Sequence, residues 1–191
     1  GQRLEHLIVQ HEIEHRRLID DENVGRHDYC SLIVVVSSVS LGLVLSGLAS
    51  ATGSAGTIAS GDYMKTLFPD SKIVASEALQ CPTLLENGFG AHRIEGIGDK
   101  HVPWIHNVKN TDVVTAIDDN AVVNIARLFN EENGRAYLVE KGVPEAVVNQ
   151  LDLLGFSGIS NVVSCIKAAK YYEMDENDIM LTVLTDSMEL Y

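Results

Sequence analysis

The stretch "LASATGSAGTIASG", Leu48 to Gly61, decides how this chain is read. It carries no charge, three glycines (Gly53, Gly56, Gly61) and five hydroxylated residues (Ser50, Thr52, Ser54, Thr57, Ser60). An apolar run precedes it and a helix-like pattern follows. A strand, a small-residue turn and a helix start together make an anion site. Small side chains let backbone N–H groups approach a phosphate, hydroxyls add donors, and the helix presents its positive end. A glycine-rich turn alone is weak evidence, because glycine is the default for any tight geometry. The flanking sequence must carry the rest.

Upstream, no charged residue occurs from Tyr29 to Gly61. That length could cross a bilayer, but the serines and the turn at its end predict a strand buried in an α/β fold. Residues 4–22 have the periodicity of an amphipathic helix, and "DDENVGRHD" (20–28) is a polar break. Downstream, residues 56–67 predict a helix stopped by "FPD" with Pro69. "KIVASEA" (72–78) predicts a short buried strand, and 80–107 is mostly loop with one short helix. "DVVTAI" (112–117) predicts a strand, and Asp118 and Asp119 stand where they could cap the helix that follows. Helices are expected over 144–155 and 157–174, and a buried strand with a polar end over 178–187. Strands alternating with helices predict a mostly parallel twisted sheet with helices on both faces, in three layers. Ligands in such sheets sit at the carboxyl ends of strands, which selects two segments: the turn at 53–57 and Thr185-Asp186-Ser187.

The 191 residues are 46% hydrophobic, enough for one domain with a core. A net charge of -13 argues against nucleic acid and anionic membrane as partners. Cys30, Cys81 and Cys165 are scattered without a CxxC, and the first thirty residues are charged and histidine-rich. Both predict a cytoplasmic chain without a disulfide framework.

The order of segments is more specific than any one of them. "ATGSAGTIASGDYMK" resembles the phosphate-cup loop of the cysteine synthase-like family of pyridoxal-phosphate enzymes (fold type II, tryptophan synthase β-like). "KIVASEA", "HRIEGIGDKHVPWIHN", "DVVTAIDDNAVVNIARLF", "GFSGISNVVSCIKAAKYY" and "VLTDSMELY" resemble the family's later pieces, in its order. The resemblance covers about residues 46–191, the C-terminal half of such an enzyme, and leaves 1–45 as a leader of unknown role. It implies that the amides of Gly53, Ala55 and Gly56 and the hydroxyls of Ser54 and Thr57 hold the cofactor's phosphate. It implies that Gly96 and Gly98 flank the cofactor and that Ser187 faces the pyridine nitrogen. A neutral hydroxyl there suits β-elimination and β-replacement on an amino-acid substrate better than transamination.

The family's Schiff-base lysine lies before the cup. Here the first lysine is Lys65, after it, and Lys72, Lys100, Lys109, Lys141, Lys167 and Lys170 follow in segments the family uses as surface or helix. No catalytic residue is therefore assigned. The chain reads as a fragment or a shortened relative, inactive alone, which pairs with itself or with a missing N-terminal half. The apolar 30–50 segment, hard to bury in so short a chain, points the same way.

Other constellations are present. "HEIEH" (His11–His15) matches the zinc-hydrolase pattern, but no third ligand stands out and both histidines continue the apolar stripe of the 4–22 helix. No metal is expected. "TGSAGTIASG" with Glu77 some twenty residues on, and Tyr137 with Lys141, suggest an NAD(P)-binding dehydrogenase-like domain, although the G-x-G-x-x-G spacing is absent. A non-catalytic phosphate-binding remnant is the third reading.

Overall fold

The structure is a computed structural model that describes residues 44–191. The expected helix over 4–22, the polar break, the "SLIVVV" segment and the HEIEH motif lie outside the described residues.

Among the described residues four parallel strands form one sheet in the order β3-β2-β1-β4. They are β1 (Val44–Ala51), β2 (Lys72–Ala78), β3 (Val113–Ile117) and β4 (Asp178–Thr182). β1 pairs with β2 on one side (Ala49 opposite Val74) and with β4 on the other (Ala49 opposite Thr182). This explains the charge-free sequence around Leu48: a central parallel strand is covered on both faces and reads as a continuous apolar run. Of the apolar 30–50 segment, residues 44–50 are described, and there Leu45, Leu48 and Ala49 are buried.

Alternate residues of β1 point to opposite faces. Leu48 packs with Ile73, Ala75, Ile58 and Met64, and Met64 lies on helix α1 (Ser60–Leu67). Ala49 packs with Val74 and Ala168, and Ala168 lies on the longest helix among the described residues, Phe156–Tyr171. Helices thus cover both faces, as expected. A third cluster joins the carboxyl ends of the strands: Ala78, Ile117, Ile94 and Ile97 with Val122 and Ala126.

The remaining helices are α2 (Thr83–Glu86), α3 (Asp119–Asn130), α4 (Glu132–Glu140) and α5 (Glu145–Val148), and Phe156–Tyr171 is α6. Several boundaries differ from the sequence expectation. α1 starts at Ser60, not at residue 56, because Ala55 takes a left-handed φ of 64° and Ser60 Oγ bonds back to the Thr57 carbonyl. The expected 144–155 helix breaks into α5 and a 3-10 turn at Leu151–Leu153, where Gln150 leaves helical geometry at φ -114°, ψ 2°. β4 ends at Thr182 and is half-buried, as the sheet's outer strand among the described residues. Asp118 and Asp119 make no side-chain cap on α3; both carboxylates are taken by other segments.

Candidate functional site

Strand order reverses at β1, which makes the carboxyl ends of β1 and β4 the switch point where open α/β sheets bind ligands. Thr182 Oγ1 donates to the Ala49 carbonyl at 2.8 Å, the last tie before the two strands part. The stretches after them contain the two segments selected from the sequence, 53–57 and 185–187.

Thr52 ends the sheet pairing, donating its N–H to the Ser76 carbonyl at 2.8 Å. The next six N–H groups, Gly53 to Ile58, donate to no group among the described residues; bonding resumes with Ala59 N–H to Ala55 O at 3.1 Å. Helix starts ordinarily leave about four N–H groups without a backbone acceptor; here the run extends back to the end of β1, so it offers a continuous row of donors to an anion. Ala55, 2% exposed, supplies the left-handed residue that turns such a run into a concave nest, while its methyl packs on Leu48 and Ile58. Ser54 and Gly56 are exposed, and Gly53 and Thr57 half-buried. The Thr57 hydroxyl is fixed by Ser50 Oγ at 2.6 Å.

The glycine loop forms the adjoining wall. Gly98 N–H donates to the Thr52 carbonyl at 2.6 Å. A Cβ on Gly53 would sit 3.4 Å from the Gly96 carbonyl oxygen and 3.6 Å from Gly98 N. Gly96 and Gly98 have φ of 78° and 85°, the region glycine favours. Around Gly96 there is open space, whereas a Cβ on Gly98 would lie 2.8 Å from the His92 ring. His92 staples the loop, with Nε2 2.6 Å from the Ile97 carbonyl and Nδ1 3.2 Å from that of Gly90.

The segment after β4 is held to the start of α6. Ser157 Oγ and Tyr191 OH each donate to the Asp186 carboxylate at 2.7 Å, and a Cβ on Gly155 would overlap that carboxylate. Burial, then the Asp186 carboxylate, raises the Tyr191 pKa. The half-buried Ser187 hydroxyl has no hydrogen-bond partner among the described residues, and Met188 packs on the cluster that holds Ile94 and Ile97. The cup, the glycine loop and the 185–188 segment therefore converge at the carboxyl ends of the strands.

The dehydrogenase-like constellation does not assemble. Glu77 is 1% exposed and its carboxylate accepts Leu84 N–H at 2.9 Å and Leu85 N–H at 3.0 Å, so it is buried against α2 and not presented to a ribose. Lys141 Nζ lies 5.2 Å over the exposed Tyr137 ring, a surface pair. Among the described residues no group of three His, Cys, Asp or Glu is placed to hold a metal, and no single helix is long and apolar enough to cross a bilayer.

Three residues escaped the sequence reading. Asp119 and His92 hold the glycine loop; the only signal was the paired aspartates, read as a cap. His106 is 7% exposed beside the cup, with Nε2 2.9 Å from Thr111 Oγ1 and Nδ1 without a partner among the described residues. Burial lowers its pKa against the opposing pull of Asp62. A lone histidine in a loop gives no such signal in sequence.

A strand-order reversal beside an amide run with no partner among the described residues is an α/β arrangement with the geometry of an anion site. No family model matches the chain. It is 28% identical to cysteine synthase B of Campylobacter jejuni over 140 residues, 73% of this chain and 40% of that protein. Among solved structures, O-acetylserine sulfhydrylase isoform 3 of Entamoeba histolytica superposes with a TM-score of 0.60 at 26% identity, over 77% of this chain and 39% of that one. A hydrogen sulfide-producing enzyme of Fusobacterium nucleatum gives 0.60 at 25% identity, over 78% and 40%. The resemblance read from the sequence holds: the chain is cysteine synthase-like, and it spans about 40% of the length of these relatives.

Proposed function

We propose that the chain supplies the phosphate-holding half of a pyridoxal-phosphate enzyme of fold type II, which carries out β-elimination or β-replacement on an amino acid. The observation that carries this reading is the run of six N–H groups, Gly53 to Ile58, that have no partner among the described residues and are bent by the left-handed Ala55. The residues fit the group: the amides and the exposed Ser54 hydroxyl would bind the phosphate, and the Gly96–Gly98 backbone would lie beside the ring. The Ser187 hydroxyl would meet the ring nitrogen. A hydroxyl there does not hold a full positive charge on the nitrogen, as a carboxylate would, and this tempers electron withdrawal. When bound, pyridoxal phosphate supplies the electron sink for chemistry at an amino acid's α- and β-carbons.

Lysine chemistry is assigned elsewhere. Lys65 is paired with Asp112 at 2.8 Å, Lys167 donates to the Ala116 carbonyl and Lys72 stands over the Tyr172 ring. No lysine precedes Lys65, so the amine that links to the cofactor would come from a second copy or from a companion half. Residues 46–191 would then be one cofactor-binding domain, and the free Cys81 and Cys165 suit a reducing, cytoplasmic setting.

The test is a thermal melt of the full chain with pyridoxal phosphate, inorganic phosphate and pyridoxal, then borohydride reduction and peptide mapping. Pyridoxal phosphate should stabilise by about 2.7 kcal/mol at about a hundredfold excess over Kd. Phosphate should stabilise less and pyridoxal least, with no lysine labelled. A labelled lysine would place the linking amine within the chain. No stabilisation by any of the three would overturn the reading. Stabilisation by phosphate equal to that by pyridoxal phosphate would favour a non-catalytic phosphate binder.

A further inference from the structure

The glycine loop touches the cup but is not held by it alone. Asp119, the first residue of α3, is 5% exposed and finds no cation among its partners. Its carboxylate accepts the Arg93 N–H at 2.6 Å and the Ile94 N–H at 3.3 Å. Its own N–H donates to Gln80 Oε1 at 3.1 Å, and Gln80 Nε2 donates to Asp118 Oδ1 at 2.7 Å. One short network thus ties the end of β2, the start of α3 and the entry of the glycine loop. Ile94 and Ile97 then bury their side chains against Val122 and Ala126 of α3, and the loop ends with Gly98 N–H on the Thr52 carbonyl. A buried carboxylate is costly unless fully hydrogen-bonded. Here the acceptors are spent on the backbone of a loop that walls the cup.

We infer that Asp119 is a positioning residue for the phosphate cup: it fixes the 93–98 backbone so that Gly96–Gly98 stand against Gly53. This rests on the cup being a phosphate site. Asp119 touches no ligand; it acts through two amides, four and five residues before Gly98. An asparagine would keep the size but present an NH2 group to an amide N–H, breaking one of the two bonds.

The experiment compares the full chain with Asp119→Asn and with Val122→Ala, a control that opens a cavity in the same cluster without touching the loop's hydrogen bonds. Two quantities are read: affinity for inorganic phosphate and pyridoxal phosphate, and hydrogen exchange at the Gly98 amide. In Asp119→Asn, phosphate affinity should fall about fivefold and Gly98 exchange should quicken by a similar factor, beyond any change in Val122→Ala. Equal effects in the two variants, or none in Asp119→Asn, would overturn the inference. If the unaltered chain binds neither ligand, the phosphate reading fails, and Gly98 exchange still decides whether Asp119 sets the loop.

Discussion

Ala55 holds φ at 64°, a conformation that costs an L-residue about 1–2 kcal/mol. Its methyl is buried, which returns about 0.8 kcal/mol. Glycine would remove the strain, lose the methyl and add unfolded-state entropy of about 0.5–1 kcal/mol. Ala55→Gly should therefore leave the urea midpoint almost unmoved, while Ala55→Val, β-branched in the left-handed region, should cost more than about 2 kcal/mol. The two loop glycines separate torsion from space. Gly96→Ala meets only the torsional cost of about 1–2 kcal/mol, since nothing stands within 4 Å. Gly98→Ala adds a collision with the stapled His92 ring and should be the more damaging by at least about 1 kcal/mol. Equal midpoints for the two variants would contradict this geometry. At this scale the sequence announced the small residues of the cup, because composition is local. It could not announce the left-handed alanine or the buried Asp119 and His106, whose roles come from segments far away along the chain.

Elements were legible where their period was simple. "KIVASEA" is β2 over the predicted residues, since a buried parallel strand needs only a short apolar run between breakers. The helices at 56–67 and 144–155 were read too long because hydroxyl, left-handed and bridge-region residues end them against the apolar pattern. Buried carboxylates were misread for the same reason: their partners are not sequence neighbours in any periodic sense. Glu77 shows the energetic stake. It holds the first turn of α2 through Leu84 and Leu85 N–H, and charge-assisted bonds of this type contribute about 1.5–3 kcal/mol. Glu77→Gln should lose about that much and speed exchange at Leu84 and Leu85 before other amides. Unchanged exchange there would show that α2 stands without the carboxylate.

At the scale of the whole molecule, proton linkage is set by buried His106. The fold lowers its pKa below the ordinary 6.5, so in the window below that value the unfolded chain binds the proton more tightly. Its contribution to stability is full above the ordinary range and is lost as pH falls through it. Melting temperature should drop between about pH 7 and pH 5, and His106→Leu should flatten that slope; parallel slopes would assign the effect to the carboxylates. The sheet has a further consequence. β1 and β4 lie side by side, yet Thr182 and Ala49 are 133 residues apart in the chain. Closing a loop of that length is the costliest pairing in the sheet, and contacts of such separation slow folding. The switch point proposed for the phosphate exists only once this pairing is made. A bound anion there would act as a clasp across the slowest seam of the fold, holding first and last strands together after the chain has done the expensive work of bringing them into register.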